Sequence, residues 1–149
     1  ADNYNIPIIY SVHPRSAKFI EERNFKFHPL VKTMNPFGFS DYICLQQHAL
    51  CVVSDSGTLA EESAILHFPA VSIRTSTERP EALDKGCFVI GSISSDSILQ
   101  AVQMSISMFE NNELFQNVSD YSDMNVSTKI VKLIQSYVDI INKKVWNKL

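Results

Sequence analysis

A short polar segment at residues 54–63 holds the side chains of this sequence that are best suited to chemistry. Ser56, Gly57 and Thr58 follow an apolar run, residues 49–53, that is typical of a buried parallel strand, and they precede a segment with helical spacing. A strand that leads through such a turn into a helix directs free backbone N–H groups and the positive end of the helix dipole toward one point. The pattern therefore favours an anion at this point, and phosphate is the common one.

Glu62 lies one helical turn into the helix that follows, on the ligand side if the turn wraps around phosphates. A carboxylate beside a phosphate is electrostatically unfavourable unless it binds another group. A ribose diol offers two hydroxyl donors and is the natural partner for this carboxylate. The segment thus predicts a site for a nucleoside diphosphate.

An ordinary helix cap explains part of the same pattern. Thr58 and Glu61 fit a capping box, in which a hydroxyl and a carboxylate accept hydrogen bonds from backbone N–H groups at the helix start. Such caps occur on many helices that bind nothing, so these residues alone leave both interpretations open. A nucleophilic role for Ser56 is disfavoured, because its Asp-Ser-Gly-Thr surroundings lack the Gly-x-Ser-x-Gly elbow of the hydrolases.

Strands that alternate with helices, without hairpin dipeptides, predict an α/β fold with a Rossmann-like, doubly wound parallel sheet. In such sheets ligands bind beyond the carboxyl ends of the strands. His13, Ser56 and residues 76–79 follow the first, third and fourth predicted strands, so the topology directs them to one edge. The predicted strands are 6–12, 28–32, 50–54, 70–74 and 87–91, and the predicted helices are 16–23, 40–48, 58–67, 80–86, 96–109 and 126–146.

Length and composition indicate a single globular domain over residues 1–149, with 45% apolar and 19% charged residues. A net charge of −3 gives no electrostatic reason to bind nucleic acid, and no apolar run approaches the roughly 20 residues that cross a bilayer. The histidines lack metal-ligand spacing, so we predict no metal. Cys44, Cys51 and Cys87 lack Cys-x-x-Cys spacing, which predicts three buried thiols in a reducing cytoplasm.

The motifs together resemble the C-terminal half of the non-hydrolysing UDP-N-acetylglucosamine 2-epimerase family. The matching blocks are Asp-Ser-Gly at 55–57, Glu-Glu at 61–62, Pro-Ala-Val at 69–71, Thr-Glu-Arg-Pro-Glu-Ala at 77–82, Tyr-Ser-Val-His-Pro at 10–14 and Asp-Tyr at 41–42. Within the family, residues 37–42 and 136–146 look most like the branch that makes UDP-N-acetyl-L-fucosamine for capsule or O-antigen assembly. The resemblance implies the C-terminal half of a glycosyltransferase-B-type, two-domain enzyme.

This resemblance implies that the anion at Ser56, Gly57 and Thr58 is the diphosphate of UDP and that Glu62 binds its ribose. It adds two residues to the UDP site. A histidine at the position of His13 lies near the nucleotide in the family, although a lone histidine after a strand more often caps or packs. In the family an aromatic residue at the position of Tyr42 lies against the uracil, and a tyrosine can stack on a base and form a hydrogen bond through its hydroxyl. The alternative, that Tyr42 belongs to the core, is equally compatible with the sequence.

Two arginines are candidates for contacts with phosphate or with another domain. Arg79 suits a bidentate phosphate contact at the end of a strand. Its alternatives are a pairing with Glu78 or Glu81 on a solvated helix face and a contact with a partner domain. Arg15 follows the Val-His-Pro block where this sequence departs from the family pattern, and its role stays open between the same two functions.

The reaction implied by the resemblance inverts C2 of a UDP-N-acetylhexosamine. UDP leaves by anti elimination to give a 2-acetamidoglycal, and it re-adds after C2 is protonated from the other face. In the family the carboxylates that move the C2 proton come from the N-terminal half, so we predict no catalytic residue in this chain and no cofactor beyond the UDP moiety of the substrate. The alternatives are the donor-binding domain of a glycosyltransferase-B-type glycosyltransferase and a non-catalytic nucleotide-binding module.

The start at Ala1 without Met suggests a piece of a longer protein, in which the resemblance implies a preceding N-terminal domain and a homodimer. The last predicted helix carries two apolar rows. An apolar surface wider than one stripe predicts burial on two sides. We therefore expect residues 125–149 to contact the missing lobe, and the alternative is a helix packed on its own sheet alone. The rows are Ile130, Leu133, Ile134, Tyr137 and Ile141, and Val131, Val138 and Val145.

Overall fold

The computed structural model describes residues 1–113 and 117–148 and groups the chain in two compact units, Ala1–His48 and Ala49–Leu149. Helices alternate with strands, and every strand pair is parallel, which confirms the α/β class. Within the described residues the elements are β1 (Ile8–Ser11), α1 (Pro14–Glu22), β2 (Val31–Met34), α2 (Phe39–His48), β3 (Val52–Ser54), α3 (Leu59–Leu66), β4 (Ala70–Ser72), α4 (Pro80–Asp84), β5 (Val89–Ile90), α5 (Ser95–Glu110), a 3-10 helix (Ser119–Tyr121) and α6 (Val126–Lys144).

In the first unit, β1 and β2 form a two-stranded sheet in which Ile8 lies opposite Val31. The second strand begins later than the predicted residue 28. Pro29 has no N–H to donate to a neighbouring strand. The chain also turns around it, since the N–H of Val31 donates to the carbonyl of His28 at 2.8 Å. Pro14 occupies the first turn of α1, where a missing N–H costs no helical hydrogen bond.

In the second unit, β3, β4 and β5 form a three-stranded sheet with β4 at its centre. Val53 lies opposite Val71, and Val71 lies opposite Val89. The strands of the described residues pair in two parallel sheets, one in each unit. Apolar runs identify strands but carry no information on which strands pair.

The core of the second unit lies around β4, where Ala70 and Val71 are fully buried. α3 and α5 both contact this strand. Gly86 has a φ of +70°, a left-handed conformation that favours glycine, and it lies just past the end of α4. The buried apolar side chains that cluster with Ala70 include Leu59, Phe68, Ala82, Phe88 and Val118.

Gly91, at the end of β5, tests how tightly this core is packed. A Cβ atom there would lie 2.8 Å from Cγ1 of Val71 and 3.4 Å from Cβ of Ala101. We expect Gly91→Ala to lower the free energy of unfolding by about 1–3 kcal/mol, because overpacking forces neighbouring atoms to move. Chemical denaturation measures the effect. Gly57→Ala is the matched control, since its Cβ meets nothing within 4 Å, and equal stability losses in the two variants would contradict this packing.

The prediction of three buried thiols is wrong for one of them. Cys44 is exposed on α2, whereas Cys51 is half-buried and Cys87 is buried. Helix α2 buries only Gln46 among its described side chains, so its apolar residues do not define an inward face that includes Cys44. Burial raises the pKa of the Cys51 thiol to about 12 and raises the pKa of Cys87, so both thiols are protonated at neutral pH.

None of the side chains of α6 is buried. Ile130 in its first apolar row is 50% exposed, and Val131 in its second row is 65% exposed. The alternative of a helix packed on its own sheet alone is therefore wrong, because that packing would cover the first row. Contact of residues 125–149 with another lobe stays a prediction. Among the described residues, no helix combines the length and the apolar character that crossing a membrane requires.

Candidate functional site

The candidate site is the loop between β3 and α3. Ser54 closes the strand, and its Oγ accepts a hydrogen bond from the N–H of Ser56 at 3.0 Å. The hydroxyls of Ser56 and Thr58 lie 2.9 Å apart. The first helical residues make long turn bonds, from Leu59 to the carbonyl of Ser56 at 3.4 Å and from Ala60 to that of Gly57 at 3.3 Å. Hydroxyl and backbone groups of the loop thus supply part of its hydrogen bonding.

Thr58 and Glu61 do not form a capping box at this helix, so that alternative interpretation is wrong. Thr58 is the N-cap residue of α3, but its side chain makes no capping hydrogen bond and its backbone is already helical, with φ −65° and ψ −15°. An N-cap side chain reaches the first turn from an extended backbone, so this conformation directs the hydroxyl elsewhere. Among the described residues, the backbone N–H groups of Gly57 and Thr58 have no acceptor in the chain. Both N–H groups lie at the positive end of the α3 dipole, as an anion site requires.

A small cavity of about 10 Å³ opens beside this loop. Its polar lining is Ser56 and Gly57 from the loop, Ser72 from the end of β4, and Arg74 and Thr77 from the segment that follows β4. The apolar residues Leu59, Ala60 and Phe88 complete the lining. This volume holds about one water molecule. The second unit thus offers an edge of hydroxyls, amides and one cation, and it does not enclose a nucleotide by itself.

Arg74 is the residue of this site that sequence reasoning missed. Its Nε donates a hydrogen bond to the carbonyl of Asp55 at 2.6 Å, and its Nη1 donates to Oε2 of Glu78 at 2.9 Å. The apolar pattern predicts a strand over residues 70–74 that includes this arginine, whereas β4 ends at Ser72. The position of this arginine directly after a buried apolar run was the sequence feature that could have identified it as a site residue.

Arg79 takes a different partner from those expected. Its Nε donates to Oε1 of Glu61 at 2.5 Å, so the carboxylate that pairs with it is neither Glu78 nor Glu81, the alternative that the sequence left open. The hydrogen bond and the charge of Glu61 raise the pKa of Arg79. Oε2 of Glu61 is buried and has no hydrogen-bond partner among the described residues. Glu61 therefore anchors Arg79 to α3 instead of capping that helix.

The two other acidic residues of the segment after β4 also have partners. Glu78 pairs with Arg74. Oε1 of Glu81 accepts a hydrogen bond from the hydroxyl of Tyr121 at 2.7 Å, which holds the pKa of Glu81 below its ordinary value. Burial and this hydrogen bond raise the pKa of Tyr121. Both carboxylates are thus used in the structure of the second unit.

The remaining predicted site residues lie in more than one place. Glu62 lies in the first turn of α3, is half-buried, and gives its backbone N–H to the carbonyl of Thr58 at 2.9 Å. In the first unit, Nδ1 of His13 accepts the N–H of Arg15 at 3.2 Å and so caps α1, while Tyr42 is half-buried in α2. Across the described ranges, no group of three or more His, Cys, Asp or Glu side chains is placed to hold a metal ion.

Comparisons of the sequence and of the structure with known proteins identify the same family. The sequence model of the UDP-N-acetylglucosamine 2-epimerase family matches residues 1–135. A UDP-N-acetylglucosamine 2-epimerase of Methanococcus maripaludis is 31% identical over 135 residues, which are 88% of this chain and 36% of that protein.

Solved structures agree with the sequence match. The UDP-N-acetylglucosamine 2-epimerase of Rickettsia bellii matches with a TM-score of 0.82 at 39% identity, over 99% of this chain and 41% of that one. The enzyme of Methanocaldococcus jannaschii, solved in complex with UDP-GlcNAc and UDP, matches with a TM-score of 0.77 at 26% identity, over 91% of this chain and 37% of that one. The chain thus spans well under half the length of these relatives. The Rossmann-like fold of the C-terminal half of a glycosyltransferase-B-type enzyme is confirmed.

Proposed function

Because this chain belongs to the UDP-N-acetylglucosamine 2-epimerase family, we propose that it is the UDP-binding domain of an isomerase that inverts C2 of a UDP-N-acetylhexosamine. The observation that carries the proposal is the loop before α3, where the N–H groups of Gly57 and Thr58 have no acceptor in the described chain and lie beside a cavity that Arg74 lines. Amides at a helix N-terminus with a cation nearby stabilise a phosphate. The complex of the Methanocaldococcus jannaschii relative with UDP-GlcNAc and UDP supports UDP as the nucleotide.

In this proposal the residues predicted to bind UDP contact different parts of the nucleotide. Ser56, Gly57 and Thr58 bind the diphosphate through hydroxyl and amide donors, and Glu62 accepts hydrogen bonds from the ribose diol. His13 and Tyr42 remain the residues predicted to contact the nucleotide, Tyr42 at the uracil. Because UDP is the leaving group, donors preorganised around the diphosphate stabilise the charge that develops as the C1–O bond breaks.

The proposed reaction divides its chemistry between two lobes. UDP is eliminated to leave a 2-acetamidoglycal and then re-adds after C2 is protonated on the other face, while this domain retains the UDP. Glu78 and Glu81, which pair with Arg74 and Tyr121, do not serve as the acid–base groups. Those groups belong to the lobe that precedes this chain in a full-length homodimeric enzyme. A cytoplasmic location and a role in capsule or O-antigen assembly are further parts of the proposal.

The apolar rows of α6 suit a contact with that lobe. Tyr137 is 54% exposed and Val138 is 46% exposed, although both are large apolar side chains on one helix. Exposed apolar patches of this kind mark surfaces that another protein surface covers. Arg79 and Arg15 stay assigned to phosphate or to this contact between lobes.

Calorimetric titration with UDP tests the proposed function. We expect the chain to bind UDP weakly, with the same affinity in EDTA and in magnesium, because amides, hydroxyls and arginine replace a metal at the diphosphate. ADP is the matched control ligand, since it keeps the ribose diphosphate and changes only the base, and it should bind more weakly. Binding that requires magnesium, or equal affinity for ADP and UDP, would count against the proposal.

A further inference from the structure

Arg74 links the ends of two neighbouring strands through its side chain. We propose that it is a positioning residue, which holds the loop of residues 55–58 in the conformation that receives a diphosphate; this inference rests on the proposed function. Asp55 follows the end of β3 by one residue, and Arg74 follows the end of β4 by two. The N–H of Ile73 donates to the carbonyl of Ser54 at 2.9 Å, which is the last backbone bond between the two strand ends. One residue further along each segment, the guanidinium of Arg74 connects the two strand ends again by its hydrogen bond to the carbonyl of Asp55.

The link acts on one peptide plane. The carbonyl of Asp55 and the N–H of Ser56 belong to the same planar, trans unit and point in opposite directions. Arg74 Nε binds the carbonyl at 2.6 Å, and Ser54 Oγ binds the N–H at 3.0 Å. The plane is therefore fixed from both sides. The N–H of Gly57 is separated from this plane by the φ and ψ of Ser56, and that of Thr58 by those of Ser56 and Gly57. We infer that a fixed plane at the loop entry narrows the directions in which these N–H groups can point.

The hydrogen bonds of Arg74 to the carbonyl of Asp55 and to Glu78 do not contribute equally to holding the loop. The side chain of Glu78 is 70% exposed, against 34% for that of Arg74. An ion pair with so exposed a partner is weakened by solvent and stabilises little. The bond to the Asp55 carbonyl is short and has a charged donor, which makes it the stronger of the two. The positioning function consequently depends on the hydrogen bond from Nε of Arg74 to the carbonyl of Asp55 and only weakly on Glu78.

Three variants of this chain test the proposal: Arg74→Ala, Arg74→Lys, and Glu78→Gln as the matched control that keeps an acceptor for Arg74. We expect both Arg74 variants to lose UDP affinity at least about tenfold. A methyl group makes no hydrogen bond, and an ammonium on a flexible stem does not reproduce the fixed Nε–H donor of a planar guanidinium. Affinity for uridine, which has no phosphate, should stay unchanged in all three variants. Glu78→Gln should keep the UDP affinity of the parent chain.

Amide hydrogen exchange without ligand supplies a second readout. In Arg74→Ala the N–H of Ser56 should exchange faster, while amides of α5 keep their rates, because only the loop loses its constraint. Wild-type UDP affinity in Arg74→Lys would show that charge alone suffices, and proportional loss of uridine and UDP would show a general structural role; either result overturns the proposal. Unchanged exchange at Ser56 would overturn it even if UDP binds. A parent chain that binds neither uridine nor UDP would overturn the proposed function, and this inference with it.

Discussion

Replacing Glu62 with alanine should weaken UDP binding by about 2–4 kcal/mol, the range for removing one partner of a desolvated, charged hydrogen bond. The proposed partner is the ribose diol, so the loss should be the same for UMP and for UDP. Glu62 lies in the first turn of α3 and is half-buried. Calorimetry with the two nucleotides measures the loss. A loss confined to UDP would place Glu62 near the diphosphate and contradict its assignment to the ribose.

Glu61→Ala is the matched control, one residue away on the same helix turn. The structure pairs Glu61 with Arg79, so its removal should lower stability on the order of 1 kcal/mol, as expected for a partly exposed ion pair. It should reduce UDP affinity far less than Glu62→Ala does. If the two substitutions exchange their effects, the helix register is off by one residue and the ribose assignment fails.

Incubation of this chain with UDP-sugars in heavy water should give no deuterium at C2. The chain is proposed to hold the leaving group, whereas the groups that transfer the proton belong to another lobe, and a split site loses the positioning that makes such groups effective. NMR of the recovered sugar nucleotide reads out the exchange.

An intact UDP-N-acetylglucosamine 2-epimerase in the same buffer is the positive control for this assay. Exchange catalysed by this chain alone would mean that it contains the acid–base residues. In that case Glu78→Gln and Glu81→Gln identify the group responsible, and the proposed division between lobes would be wrong.

The strand, loop and helix at residues 50–67 were predicted from the sequence because their signals are local. The apolar run before Ser54 predicts a strand, and the small polar residues after it predict a turn into a helix. The observed β3 and α3 fall inside the predicted bounds of 50–54 and 58–67. The end of α4 near Gly86 is a local feature too, because it depends on the left-handed backbone conformation of one glycine.

The contacts of the charged side chains were not predictable in the same way. Arg74 meets the backbone of Asp55, 19 residues away, and Tyr121 meets Glu81 across 40 residues. Such pairs exist because the fold brings together segments that are distant in the sequence, and hydrophobic periodicity carries no information on which side chains meet there. Local reasoning assigned Glu61 to a cap for this reason, since its ion-pair partner lies 18 residues further along the chain.

The central claim is that UDP binds at the loop before α3, and titration of the isotope-labelled chain with UDP tests it most directly. Two-dimensional NMR follows each backbone amide during the titration. The proposed site predicts that the amides of Gly57 and Thr58 shift most and saturate with the calorimetric affinity, while that of Ala101 in α5 stays in place. Binding that shifts other amides and leaves Gly57 and Thr58 unmoved would contradict the account.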